Sequence, residues 1–198
     1  MFIMKSKDTR YEDRKNRKRN IIWALFIIII MVSSVLGYIE MRTDEESKYS
    51  YNGFKFAKQD DKFVTTINNK NYVFDYLPTD LENISIKTNN FNSQKVYLVF
   101  NTSERDQNLE YDLSKVSYTL NSLGYSIVFA CAEEKDCPDI PIVKCDEGKD
   151  AVLFKKTNST EKIYIINKCN IIEGDAIGLV KASDRFNYHI LGVMKWRS

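Results

Sequence analysis

Lys95-Val96-Tyr97-Leu98-Val99-Phe100 is followed by Leu109, Leu113, Val116, Leu120 and Leu123, and then by Tyr125-Ser126-Ile127-Val128-Phe129-Ala130; the reading of this stretch decides the fold. The first run is apolar almost without interruption, which suits a strand buried on both faces. The leucines and valine recur at alternating spacings of four and three, so they share one face of a helix. Gly124 stands just past that helix, where a left-handed residue is wanted. The second apolar run reads as another buried strand. Residues 95–130 therefore predict a βαβ unit with parallel strands and a right-handed crossover.

Upstream, Phe54-Lys55-Phe56, Phe63-Val64-Thr65-Thr66-Ile67 and Tyr72-Val73-Phe74-Asp75-Tyr76 are separated by Asp- and Asn-rich turns. Asn tolerates the positive φ of tight hairpins, so these runs predict a three-stranded meander. Pro78 ends it, and Thr79-Asp80-Leu81-Glu82 predicts a helical turn capped by Thr79. Downstream, Ala151-Val152-Leu153-Phe154 and Lys162-Ile163-Tyr164-Ile165-Ile166 predict strands joined through Asn158, with Ile171-Ile172 beginning another. A last helix is expected from Asp175, its N-cap, to Gly192, with Ala176, Leu179, Val180, Phe186, Ile190 and Leu191 on one face. The whole is an α/β sandwich large enough to own a core.

The chain has 198 residues, one domain's length, with 29 Lys+Arg against 27 Asp+Glu. That near-balance argues against binding nucleic acid through a basic surface. A hydrophobic share of 43% excludes a disordered chain. Residues 1–20 carry eight basic and three acidic side chains, and residues 21–39 carry no charge. As a helix the uncharged run would reach roughly 28 Å, close to the ~30 Å hydrocarbon thickness. It predicts an N-terminal transmembrane helix at 21–39, a basic cytoplasmic tail at 1–20, a juxtamembrane linker at 40–50 and an extracytoplasmic α/β domain at 51–198. The rival is a cleaved signal ending near Val35-Leu36-Gly37; the long basic region and long apolar run favour the uncleaved anchor. Ser33 and Gly37 form a small-xxx-small pair, a weak helix–helix contact for a homodimer.

Cys131, Cys137, Cys145 and Cys169 all follow the expected span, and an even count in an oxidising compartment predicts two disulfides among three connectivities. Cys131–Cys137 with Cys145–Cys169 is preferred, because the first closes a short polar loop and the second ties distant segments. The spacing lacks the paired short knuckles of a structural zinc site. Asn83, Asn101 and Asn158 begin glycosylation triplets, a pattern that arises readily by chance.

Signals for chemistry are sparse. His189 is the only imidazole and falls opposite the apolar stripe of the last helix, as a solvated surface group. Asp184 and Arg185 beside it read as surface or interface pairing. No phosphate-cradling glycine motif occurs, and Ser159-Thr160-Glu161-Lys162 matches S-x-x-K without its companion motifs. Glu133, Glu134 and Asp136 read as a solvated acidic loop rather than a cation site. The loop after the 95–100 strand, with Asn101, Ser103, Arg105 and Asp106, lies where ligands bind open parallel sheets. No catalytic residue, metal ligand or cofactor is assigned.

Tyr51-Asn52-Gly53-Phe54-Lys55-Phe56, Tyr76-Leu77-Pro78-Thr79-Asp80-Leu81-Glu82-Asn83-Ile84, Cys137-Pro138-Asp139-Ile140-Pro141-Ile142, and Asp184-Arg185 leading to Ile190-Leu191-Gly192 resemble uncharacterised single-pass membrane proteins of small-genome archaea. The resemblance implies an archaeal cell-surface setting and the same anchored layout, and it brings no activity. The sequence therefore leads to an expectation of a membrane-anchored, non-enzymatic module that contacts the bilayer and an envelope or membrane protein partner. The alternative is an envelope-facing enzyme or a small-ligand or metal-binding domain using the 101–106 loop.

Overall fold

Backbone in the left-handed region sets the first sheet. Strands Tyr49–Tyr51 (β1), Phe54–Gln59 (β2), Lys62–Ile67 (β3) and Lys70–Phe74 (β4) are joined by tight turns at Asn52-Gly53, Asp60-Asp61 and Asn68-Asn69. In those turns Asn52, Asp60, Asn68 and Asn69 hold φ between 47° and 61°, a conformation that Asn and Asp adopt more readily than most residues. The result is a four-stranded antiparallel meander, one strand more than expected. β1 begins at Tyr49, inside the stretch assigned to a linker. The computed structural model describes residues 49–195. After the meander comes the short turn Pro78–Leu81, where Asp80 rather than Thr79 supplies the cap by accepting from Leu77 N–H at 3.2 Å.

The second sheet holds Lys95–Phe100 (β5), Ser126–Cys131 (β6), Ala151–Lys156 (β7), Lys162–Ile166 (β8) and Cys169–Gly174 (β9), in the order β6-β5-β7-β9-β8. The first four in that order run parallel, and β8 is antiparallel to β9. Helix Gln107–Ser122 (α1) carries the chain from β5 to β6, making the βαβ unit. β7 and β8 are not partners: β9 enters between them, because Asn167 turns β8 back onto β9 with φ 55°. All six residues of β9 are buried, as a central strand requires.

Helix Ala176–Ile190 (α2) starts at Asp175, whose side chain accepts from Ile177 and Gly178 N–H. One continuous core runs from Val96, Leu98, Val152 and Ile172 of the larger sheet, through the helix residues Leu113, Val116, Leu179 and Phe186, to Phe56, Tyr72 and Phe74 of the meander. The helices thus lie between two sheets. Tyr188 on α2 stacks on Phe74 at 3.9 Å between ring centroids, and its hydroxyl donates to Tyr76 C=O at 2.8 Å. Every residue from Ala182 to Tyr188 is buried, so the one-sided stripe expected for this helix gives way to burial all round.

The opposite face of the larger sheet is covered by a smaller core of Val99, Ala130, Val143, Ala151, Cys169 and Ile171. Disulfides Cys131–Cys137 and Cys145–Cys169 fasten the 132–150 crossover over it.

The membrane assignment is corrected. Among the described residues no helix is long and apolar enough to cross a membrane. α1 and α2 have 16 and 15 residues, short of the ~20 apolar residues a span needs, and both carry charged side chains such as Lys115 and Asp184. The expected span at 21–39 lies outside the described residues, as do the 1–20 tail, Ser33 and Gly37. The described residues form a mixed α/β architecture with no transmembrane helix among them. The single-pass topology, the bilayer contact, the membrane or envelope role and the Ser33/Gly37 dimer lose their support with it.

The bridges make a testable contribution. Cys145 and Cys169 are separated by 24 positions and Cys131 and Cys137 by 6. On loop closure alone, Cys145→Ser with Cys169→Ser should lower stability by about 3 kcal/mol, and the Cys131/Cys137 double replacement by about 1 kcal/mol less. Urea unfolding of both variants checks the ranking, and a costlier loss of the short bridge would contradict it.

Candidate anion-binding cleft

The 101–106 loop turns its polar groups on itself and its neighbours. Asn101 Oδ1 accepts from Ser103 N–H at 3.1 Å and from Ser103 Oγ–H at 2.9 Å. Arg105 Nε donates to Glu110 at 2.7 Å, and both side chains are exposed. Asp106 caps α1 by accepting from Leu109 N–H and is ion-paired with Lys156. Glu104 accepts from Lys156 N–H at 3.0 Å, tying the loop to β7. Asn101, Ser103, Arg105 and Asp106 thus sit together, engaged in caps and ties.

The chemistry that the sequence left at the surface lies inside. Asp184, on the buried segment of α2, accepts from Asp75 and Tyr76 N–H at 2.7 and 3.1 Å and from Lys115 Nζ at 2.7 Å. Lys115 also meets Asp75 at 2.6 Å and Asp112 at 3.4 Å, and Lys62 closes the group on Asp75. Burial opposes the charge on Lys115, but three carboxylates outweigh it and hold its pKa above the usual lysine value. Burial likewise opposes ionisation of Asp75, and Lys115 and Lys62 outweigh it, so its pKa falls. Asp112 is 0% exposed and neither of its oxygens has a hydrogen-bond partner. Burial pushes it up to about 7, against the pull of Lys115. Asp184, also raised by burial, has two backbone donors to favour its charge, so Asp112 is the carboxyl that keeps its proton. This network is sealed, and it ties β4, α1 and α2 together.

Arg185, one residue on, faces elsewhere. It is 4% exposed, and its Nε and Nη1 have no hydrogen-bond partner. Burial lowers its pKa, with Tyr51 and Glu82 acting the other way. It lines a cleft of about 420 Å³ together with Tyr51, Ile84, Lys87, Ile163 and Met194. Three segments build the walls. Residues 82–87 are held beside β8 by Ile163 N–H to Ser85 C=O at 3.0 Å and Lys87 N–H to Ile163 C=O at 2.9 Å. Asn52 in the first turn donates to Val193 C=O at 3.0 Å, and Met194 N–H returns to Tyr188 C=O at 3.2 Å, placing the end of the described chain. Glu82 also lines the cleft but accepts from Tyr51 O–H at 3.0 Å. Lys162, at the rim, is ion-paired with Glu173 at 3.4 Å. Burial opposes the charge of Glu173, yet hydrogen bonds from Tyr164, Ser159 and Lys155 hold its pKa down at about 2.

His189 is half-buried and engaged rather than freely solvated: Nε2 lies 2.9 Å from Thr88 Oγ1 and Nδ1 lies 3.3 Å from Met194 C=O. It clamps the two walls of the chain end together. Among the described residues no three His, Cys, Asp or Glu side chains group as metal ligands, so Glu133, Glu134 and Asp136 do not converge.

No family model, curated protein or solved structure matches the chain. The resemblance to single-pass archaeal membrane proteins is therefore withdrawn, and the functional reading rests on the cleft alone.

Asp112 gives stability a pH dependence. Its folded pKa lies above its unfolded value of 3.8, so its contribution is complete below about pH 4 and is lost as pH rises through about 7. Between pH 4.5 and 8 the native chain should lose on the order of 2–4 kcal/mol more stability than Asp112→Asn. Urea unfolding at several pH values measures this, and parallel profiles would show that Asp112 is ionised throughout.

Proposed function

We propose that this domain binds an anionic ligand in the cleft at Arg185 and does not transform it. The observation that carries the reading is a guanidinium buried from water with two nitrogens unpartnered. Burial still lowers the pKa of Arg185 despite the nearby Glu82, so the cost of burying this cation is only partly offset, and an arriving anion recovers more of it. The planar guanidinium fork suits oxyanions, and exposed Lys87 and Lys195 at the rim attract negative charge towards it. Binding without turnover is supported by the groups that line the cleft. They are cationic, phenolic, amide and aliphatic side chains with one hydroxyl, Ser85, and one carboxylate, Glu82, which already accepts from Tyr51, and no imidazole or thiol stands among them to activate Ser85. His189 is engaged by Thr88 and Met194, and the cysteines are in disulfides.

The test is a stability reversal. Arg185→Met keeps the length of the side chain and removes its charge, so the variant should unfold at a higher temperature than the native chain in chloride buffer. Sodium acetate at a hundred times its dissociation constant should stabilise the native chain by about 2.7 kcal/mol relative to equal ionic strength of sodium chloride, and leave Arg185→Met unmoved. An acetate response of equal size in both proteins would defeat the reading.

A further inference from the structure

We infer that the ligand of the Arg185 cleft is an organic monoanion with an apolar body, a carboxylic acid rather than an inorganic phosphate or sulfate. The inference rests on the anion-binding reading above and adds the ligand's class. The cleft supplies one unpartnered buried cation, Arg185. One guanidinium matches one negative charge. A tetrahedral dianion would need further donors beside Arg185, where Lys162 is held by Glu173 and Tyr51 donates to Glu82, while Lys87 and Lys195 stand exposed at the rim. Glu82 also places a negative charge on the wall, which disfavours a second charge on the ligand.

Part of the lining is apolar. Ile84, Ile163 and Met194 are each at most 6% exposed and border the space in front of Arg185. At about 420 Å³ the cleft falls within the ~300–1,000 Å³ range of small-molecule sites and is far larger than a single oxyanion needs. A hydrated inorganic ion would leave those walls wet, whereas an aliphatic chain behind the carboxylate covers them. Each methylene fully enclosed strengthens binding by roughly fourfold at 0.8 kcal/mol per CH₂.

The experiment uses the full chain labelled with ¹³C at the methionine methyl groups, with the Met194 signal identified by its loss in Met194→Leu. Acetate, butanoate, hexanoate, hexanamide and inorganic phosphate are titrated separately while that signal is followed. The expected result is affinity rising along the acid series, hexanoate binding at least tenfold more tightly than acetate, with hexanamide and phosphate weaker than hexanoate. Acetate, hexanoate and phosphate binding with equal strength would overturn the inference and leave the anion-binding reading intact. Hexanamide matching hexanoate, or no anion moving the Met194 signal, would overturn both.

Discussion

Burial of α2 on both sides is the constraint from which the rest follows. A helix packed against one sheet can keep a wet face, but this one lies between the five-stranded sheet and the meander, and Ala182 to Tyr188 are all buried. Polar side chains on such a helix need partners within the protein. Tyr188 finds the carbonyl of Tyr76, and Asp184 finds two backbone N–H groups and Lys115. Arg185 is a buried cation whose Nε and Nη1 have no hydrogen-bond partner, and that marks the cleft.

The Lys115 network shows how the layers are locked. Its members come from three places in the chain: Asp75 after β4, Asp112 and Lys115 on α1, and Asp184 on α2. Three carboxyl groups crowd the buried Lys115 while Lys62 reaches only Asp75, and burial raises the pKa of Asp112 to about 7. On the far side of the larger sheet the sealing is covalent. The 132–150 crossover contributes only Val143 among the buried residues of that core, and the two disulfides hold the cover that so few apolar contacts would leave loose.

Much of the local architecture was legible in the residues. The apolar runs at 95–100 and 125–130, with the leucine spacing between them, are properties of the chain alone, because periodicity reports which faces are buried. The cap at Asp175 and the turn at Asn68-Asn69 are likewise local chemistry, made by bonds and dihedrals within a few residues. What misled was range. The strand Cys169–Gly174 inserts between β7 and β8, and nothing in either strand records a neighbour that arrives later in the chain. The uncharged run at 21–39 set the expected topology and surroundings, whereas the fold of residues 49–195 is explained by its own core.

The sequence by itself determined the strands other than β1, the amphipathic α1, the turns and the supply of cysteines, since these depend on neighbours a few positions apart. Only the tertiary structure decided that a helix with one apparent apolar stripe would be enclosed on both sides. It turned adjacent Asp184 and Arg185 to different surroundings, the first into a sealed ionic network and the second into an open cleft. The physical reason is that burial belongs to the packed layers, and a side chain's charge acquires its partner, or lacks one, only when distant segments such as 82–87 and 193–194 close around it.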